Sequence, residues 1–268
     1  MRSVCQNNQK DSLKNPLIQK MASIWFTTNS YIFVNQSKNQ TMKRINLILA
    51  AALSIFLLSC EKEDSSDVNQ DKIYTVYELF YNQNSDKTVV VCRLRFGGPT
   101  GTLLEATGDA NVKFNGDIMP YSAIYSGHAK EYAGLVTSGT FVYTNVEGVE
   151  FTNSVSSIAS IAFPEDFTTI TKSSANTLTW VGNALNANER ADFFVGTPVW
   201  GQDALFFATG QGTTNIIMGV NQMAGLAEGN ATCFLDRVKE IPVTEGTSKG
   251  GVVRSRYRAL NKQIQVLP

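Results

Sequence analysis

Ser248 lies in Gly246-Thr247-Ser248-Lys249-Gly250, which matches the GxSxG pattern of a nucleophile elbow. An elbow needs a strand before the serine, a helix after it and a histidine that takes its proton. Here the strand-like run Gly251–Tyr257 follows, and His128, the single histidine of the chain, lies 120 residues upstream. A glycine-flanked hairpin turn accounts for the same five residues without chemistry. His128 falls in the polar stretch Tyr125–Glu131 and reads as a solvent-exposed loop histidine. One histidine excludes a multi-histidine metal site, and four cysteines without a CxxC pair exclude a zinc ribbon. Asp64, Asp67, Asn69 and Asp71 have a calcium-like spacing but lack the central Gly and bidentate Glu of an EF-hand loop. Glycoside hydrolysis needs two carboxyl groups about 5–9 Å apart, and pairs such as Glu105 with Asp109, or Glu131 with Glu147, cannot be matched from sequence. Neither GxxxxGK[ST] nor a helix-opening GxGxxG occurs, so no cofactor is expected. The inventory favours a chain without catalytic residues; a polysaccharide hydrolase or its accessory is the alternative.

Binding chemistry is better represented. Arg254, Arg256 and Arg258 alternate along one run, so a strand would place all three on one face. A row of guanidinium groups suits carboxylated or sulfated glycans, each able to engage an anion bidentately; the alternative is a charged face that guards an edge strand. Trp200, in Pro198-Val199-Trp200-Gly201-Gln202, is a candidate for stacking on a sugar ring, as are the tyrosines at 74, 77, 81 and 121, 125, 132, whose alternative as strand residues is the core or the sheet surface. Trp180 alternates with Leu178 and reads as core. Cys92 and Cys233 read as two separate buried thiols. The chain has 23 basic and 23 acidic residues, but residues 1–59 hold seven of the basic and one of the acidic groups. Residues 60–268 are therefore acidic by about six charges on formal counting, which argues against a nucleic-acid partner.

These side chains are preceded by a segment of different character. Met42-Lys43-Arg44 is a short basic start, Ile45–Ser59 is apolar, and Cys60 follows directly. Fifteen helical residues rise about 22 Å, short of the roughly 30 Å hydrocarbon core, so a signal peptide at 42–59 is favoured over a membrane span. Leu57-Leu58-Ser59-Cys60 resembles a bacterial lipobox, which implies that Cys60 is acylated and binds the chain to a lipid bilayer. Lys62-Glu63-Asp64 resembles the export signal of Bacteroidetes surface lipoproteins, which implies the outer face of the outer membrane. Residues 1–41, rich in Asn, Gln, Ser and Lys, precede a complete signal and read as a mis-assigned upstream extension.

The elements that must position the candidate residues are strands. Residues 60–72 are polar and read as a flexible tether. Ile73 onward shows short runs of Val, Ile, Thr, Tyr and Phe cut by Gly, Asn, Asp and Ser, an all-β signature. Expected strands include Ile73–Tyr81, Thr88–Phe96, Tyr132–Thr137, Ser156–Phe163 and Gly251–Arg258, with one helical turn at Met223–Ala227. Turns every 8–12 residues suggest sandwiches, and the length suits two domains, 73–163 and 164–268, divided at Pro164-Glu165-Asp166. Gly108–Asp117, Gly148–Asn153, Leu178–Glu189 and Gly250–Tyr257 resemble strand-and-turn segments of uncharacterised Bacteroidetes surface lipoproteins. That resemblance implies two tandem immunoglobulin-like β-sandwich domains at the cell surface, binding a glycan or a surface protein; it carries no catalytic residues.

Overall fold

The computed structural model describes residues Lys62–Pro268. The expected upstream extension 1–41, the expected signal peptide 42–59 and the expected lipidation site Cys60 lie outside the described residues. Those described belong to one compact unit, Glu61–Pro268, and are all-β as expected. The first half contributes β1 (Lys62–Asp64), β2 (Ile73–Asn82), β3 (Lys87–Phe96), β4 (Thr102–Glu105), β5 (Asn111–Phe114), β6 (Asp117–Ile118), β7 (Tyr121–Ser122), β8 (Gly127–Ala133), β9 (Ser138–Thr144) and β10 (Glu150–Ser156). The second contributes β11 (Thr169–Thr171), β12 (Asn176–Thr179), β13 (Glu189–Gly196), β14 (Ala204–Thr209), β15 (Asn215–Met218), β16 (Gly229–Pro242), β17 (Gly251–Arg258) and β18 (Lys262–Leu267). One helical turn, α1 (Val220–Met223), begins three residues before the expected position.

A large sheet runs β1-β4-β3-β2-β17-β16-β13-β14, with β7, β8, β11 and β18 joined beside this path. One face of it is covered twice. The sheet β10-β9-β5-β6 closes a first core around Tyr77, Leu94, Phe114, Phe141 and Tyr143. The pair β12-β15 closes a second around Leu178, Phe193, Phe206, Ile216 and Leu235. Each core draws most of its residues from one half of the chain, but neither core nor the sheet divides at Pro164. β17 lies between β2 and β16, in parallel register with β2 from Gly251↔Thr75 to Arg258↔Asn82. A Cβ on Gly251 would lie 2.4 Å from the Thr75 carbonyl oxygen, so this approach requires glycine. Val253 of β17 packs in the first core and Tyr257 in the second, while Ile158, Ile161 and Phe163, from before Pro164, pack in the second.

Between the cores runs a polar seam. Arg237 is fully buried and hydrogen-bonds Glu189 (2.5 Å) and the carbonyls of Asn183 (2.9 Å) and Ala184 (2.8 Å). Ser255 Oγ donates to Ser156 O at 2.6 Å. Buried Asn153 donates to Glu245 O and accepts from Thr244 N, tying β10 to the chain after β16.

Three expectations are corrected. The segment 60–72 is no free tether from Lys62 onward: β1 pairs in parallel with β4, and two 3-10 turns, Ser65–Asp67 and Gln70–Lys72, follow. Ser65 and Gln70 are buried, and Gln70 Nε2 donates to the carbonyls of Ser65 and Val68. Hydrogen bonds hold this segment, which is why an apolar pattern fails to announce it. The strand expected at Ser156–Phe163 is Glu150–Ser156, because Asn153 points inward where alternation calls for an apolar residue. Residues 158–163 instead plug the second core as extended chain with one bridge, Ala162↔Val181. The strand expected at Tyr132–Thr137 is β8, which starts at Gly127.

Candidate functional site

The other face of the large sheet is open except where the β7–β8 turn lays Tyr125 over Val89, Val91 and Ala129, and the three arginines stand on its open part. β17 alternates strictly, with Val253, Ser255 and Tyr257 buried and Arg254, Arg256 and Arg258 half-buried on the opposite side. The register sets Glu240 opposite Arg254 and Asp236 opposite Arg258 on β16, and Glu78 and Phe80 opposite Arg254 and Arg256 on β2. Arg254 pairs with Glu240 at 2.7 Å, Arg258 with Asp236 at 2.7 Å, and Arg256 also bonds Asp236. The Asp236 bond, opposed by burial, raises the Arg258 pKa above its ordinary value. Below them Phe80 lies 4.5 Å from the Arg256 guanidinium, and Phe234 lies 5.3 Å from that of Arg258. The side chains are thus held between carboxylates and ring faces, with the Nη1 groups of Arg256 and Arg258 making no hydrogen bond among the described residues.

Sequence reasoning missed the neighbours that complete this face. A hollow of about 250 Å³ is lined by the three arginines with Arg190, Asp192, Phe194 and Asp236. A second, of about 400 Å³, shares Arg254 and Arg256 and adds Arg93, Arg95 and Tyr74. Arg93 pairs with buried Glu78 at 2.9 Å and Arg190 with Asp192 at 3.0 Å, while Arg95 bonds the Gly101 carbonyl. Six arginines here meet four carboxylates, a surplus of two positive charges that favours an anion. The alternation of Arg93 with Arg95 away from Val90, Cys92 and Leu94 was a usable signal for half of it. β17 is an interior strand, so these arginines do not guard an edge.

Trp200 is 98% exposed in the β13–β14 connection, a loop braced by Thr197 N donating to Asp203 (2.8 Å) and Thr197 Oγ1 donating to Val199 O and Gln202 O. It lines neither hollow. Lys62, Glu63 and Asp64 are the residues of β1. Trp180 is buried, as expected.

The residues with possible covalent or acid–base chemistry are placed elsewhere. Ser248 lies in the β16–β17 connection, where its Oγ donates to the Asp71 carboxylate at 2.6 Å and its N–H to the same group at 2.9 Å. These bonds hold Asp71 below the usual carboxylate range. His128 is no exposed loop residue: it is buried on β8. Its Nε2 accepts from Ala106 N–H and its Nδ1 meets the Met119 carbonyl, both at 2.9 Å, so the ring joins three segments as a neutral imidazole donating from Nδ1. Cys92 and Cys233 are separate buried thiols, and burial raises Cys233 to about 12. Among the described residues no three His, Cys, Asp or Glu converge as metal ligands, and no helix is long and apolar enough to cross a membrane.

No family model matches the chain, and no curated protein does. Among solved structures it is similar to a tetra-tandem repeat in the extending region of a large adhesion protein, with 11% identity, a TM-score of 0.21, and 72% of this chain against 49% of that one. It is also similar to a 1.5-MDa bacterial ice-binding adhesin, with 11% identity, a TM-score of 0.20, and 74% of this chain against 66% of that one. The chain spans less than two thirds of either, and both superpositions are too loose for a function to pass between the molecules.

Proposed function

We propose that this chain is a surface lipoprotein of the outer membrane, held in the bilayer by acyl chains on Cys60, that captures a carboxylated or sulfated glycan on its open arginine face and catalyses no reaction. The observation that carries the binding reading is the row Arg254, Arg256, Arg258, preset by Glu240 and Asp236 and backed by Phe80 and Phe234. A face ordered before the ligand arrives loses less side-chain entropy on binding. Support for the anchor is the ordered sequence Met42-Lys43-Arg44, apolar run, Cys60. In cells fed labelled palmitate the mature chain is expected to start at Cys60 and carry label, and Cys60→Ser to lose both label and membrane fraction. A mature, unlabelled species that retains residues 1–41 would overturn the anchor.

The binding reading is tested with residues 61–268 on arrays of carboxylated, sulfated and neutral glycans. Anionic glycans are expected to bind, more weakly as salt rises. Arg254→Gln is the informative variant, because its partner Glu240 has a side chain 35% exposed, and buried Glu78, 4.0 Å away, keeps its closer pair with Arg93. A lost charge-assisted contact of about 1.5–3 kcal/mol lowers affinity roughly tenfold to a hundredfold. Equal binding of neutral glycans, or an unchanged Arg254→Gln, sinks this reading; release of reducing ends points to the hydrolase.

A further inference from the structure

We infer that the free edge of β14 pairs with β14 of a second copy of this chain, continuing the large sheet across a two-fold axis. β14 ends the sheet path, laddered among the described residues only to β13, with one further bond at its end from Thr213 Oγ1 to Thr209 O. Sheet edges are usually blunted by charges, proline or a bulge, and the opposite edge, β1, is Lys-Glu-Asp. β14 reads Ala-Leu-Phe-Phe-Ala-Thr, without a charge, Pro or Gly. Leu205 and Phe207 are 60% and 66% exposed on its outer face, while Phe206 is buried in the second core. The strand is self-complementary. An antiparallel register centred on Phe206 puts Leu205 of each copy opposite Phe207 of the other, a cross-strand apolar pair. The same register puts Asp203 of the second copy beside Thr209, whose other neighbour is Arg190 on β13. Arg190 already pairs with Asp192 and Asp203 accepts from Thr197 N–H, so the register brings no unpaired like charges together. Both copies would present their arginine faces on the same side.

Six paired residues bury less than the roughly 1,200 Å² of a stable interface, so the pairing is weak in dilute solution and strengthens where anchoring concentrates the chains. Residues 61–268, the compact unit that contains both cores, are suited to sedimentation equilibrium over a hundredfold concentration range. A monomer–dimer equilibrium is expected, weakened at least tenfold by Phe207→Lys, a change at an exposed site whose unaltered melting confirms the fold. Chains carrying Leu205→Cys and chains carrying Phe207→Cys should cross-link faster when mixed than either alone; the native thiols, Cys92 and Cys233, are buried and stay out of the reaction. A chain monomeric throughout, a dimer indifferent to Phe207→Lys, or cross-linking without preference for the mixture would overturn the inference. None of these outcomes depends on glycan binding.

Discussion

Expressed separately, residues 73–163 and 164–268 are each expected to lack a cooperative melt, whereas residues 61–268 unfold in a single transition. The cut removes β17 from β2 and so breaks eight parallel pairs in the middle of the large sheet. The first fragment loses Ile241, Val243 and Val253 from its core; the second loses Ile158, Ile161, Phe163 and Tyr81. Burying an aliphatic side chain stabilises by about 1.5–3 kcal/mol, and a domain has only about 5–15 kcal/mol in total. Each fragment therefore forfeits a loss comparable to its entire stability and also exposes an unprotected strand edge. Circular dichroism melts of the three chains decide the matter, and a cooperative transition in either fragment alone would show that the cores are independent.

Arg237→Ala is expected to be the most damaging single substitution, at about 3–5 kcal/mol, because it strands a buried carboxylate without its counter-charge. Glu189 has a side chain 5% exposed, and Arg237 also satisfies two backbone carbonyls of the loop before β13. The double variant Arg237→Met with Glu189→Leu should recover part of the loss, since neither charge is then left alone. Burial by itself would raise the Glu189 pKa, but the Asn186 N–H and Arg237 outweigh it and hold the carboxyl below its usual value. A depressed pKa contributes stability that is complete above the unfolded value and lost as pH falls through the folded one. Denaturant midpoints should thus decline as pH falls below the ordinary glutamate range, and less steeply in the double variant. An Arg237→Ala midpoint equal to that of the parent chain would remove the pair from the account of stability.

Where side chains obey the alternation rule, the strands were legible: β17 was expected at Gly251–Arg258 and lies there. Strand β10 was not, because Asn153 occupies an inward position and satisfies itself on Thr244 and Glu245, about ninety residues away. The arginine row was legible for the same reason as β17, but its acidic partners were not. Pairing β17 with β2 joins residues some 176 apart, and nothing local in either strand names the other. The same long-range pairing turned two expected sandwiches into one sheet with two cores.

The folded state of residues 62–72 has a mechanical consequence. If Cys60 is the membrane anchor, only Glu61 lies between it and β1 in sequence, so the lipid would be joined to a strand and not to a leash of twelve residues. That strand is held by three ladder pairs to β4, and the turns behind it are held by polar contacts such as Gln70 to Ser65 and Ser248 to Asp71. Under a pull between such an anchor and a bound ligand, this part would yield first, since it adds only Val68 to the first core. Peeling it away would pay out eleven residues, roughly 36–40 Å of extended chain, before the load reached β2, so a short rigid mount would become a long compliant one only when strained.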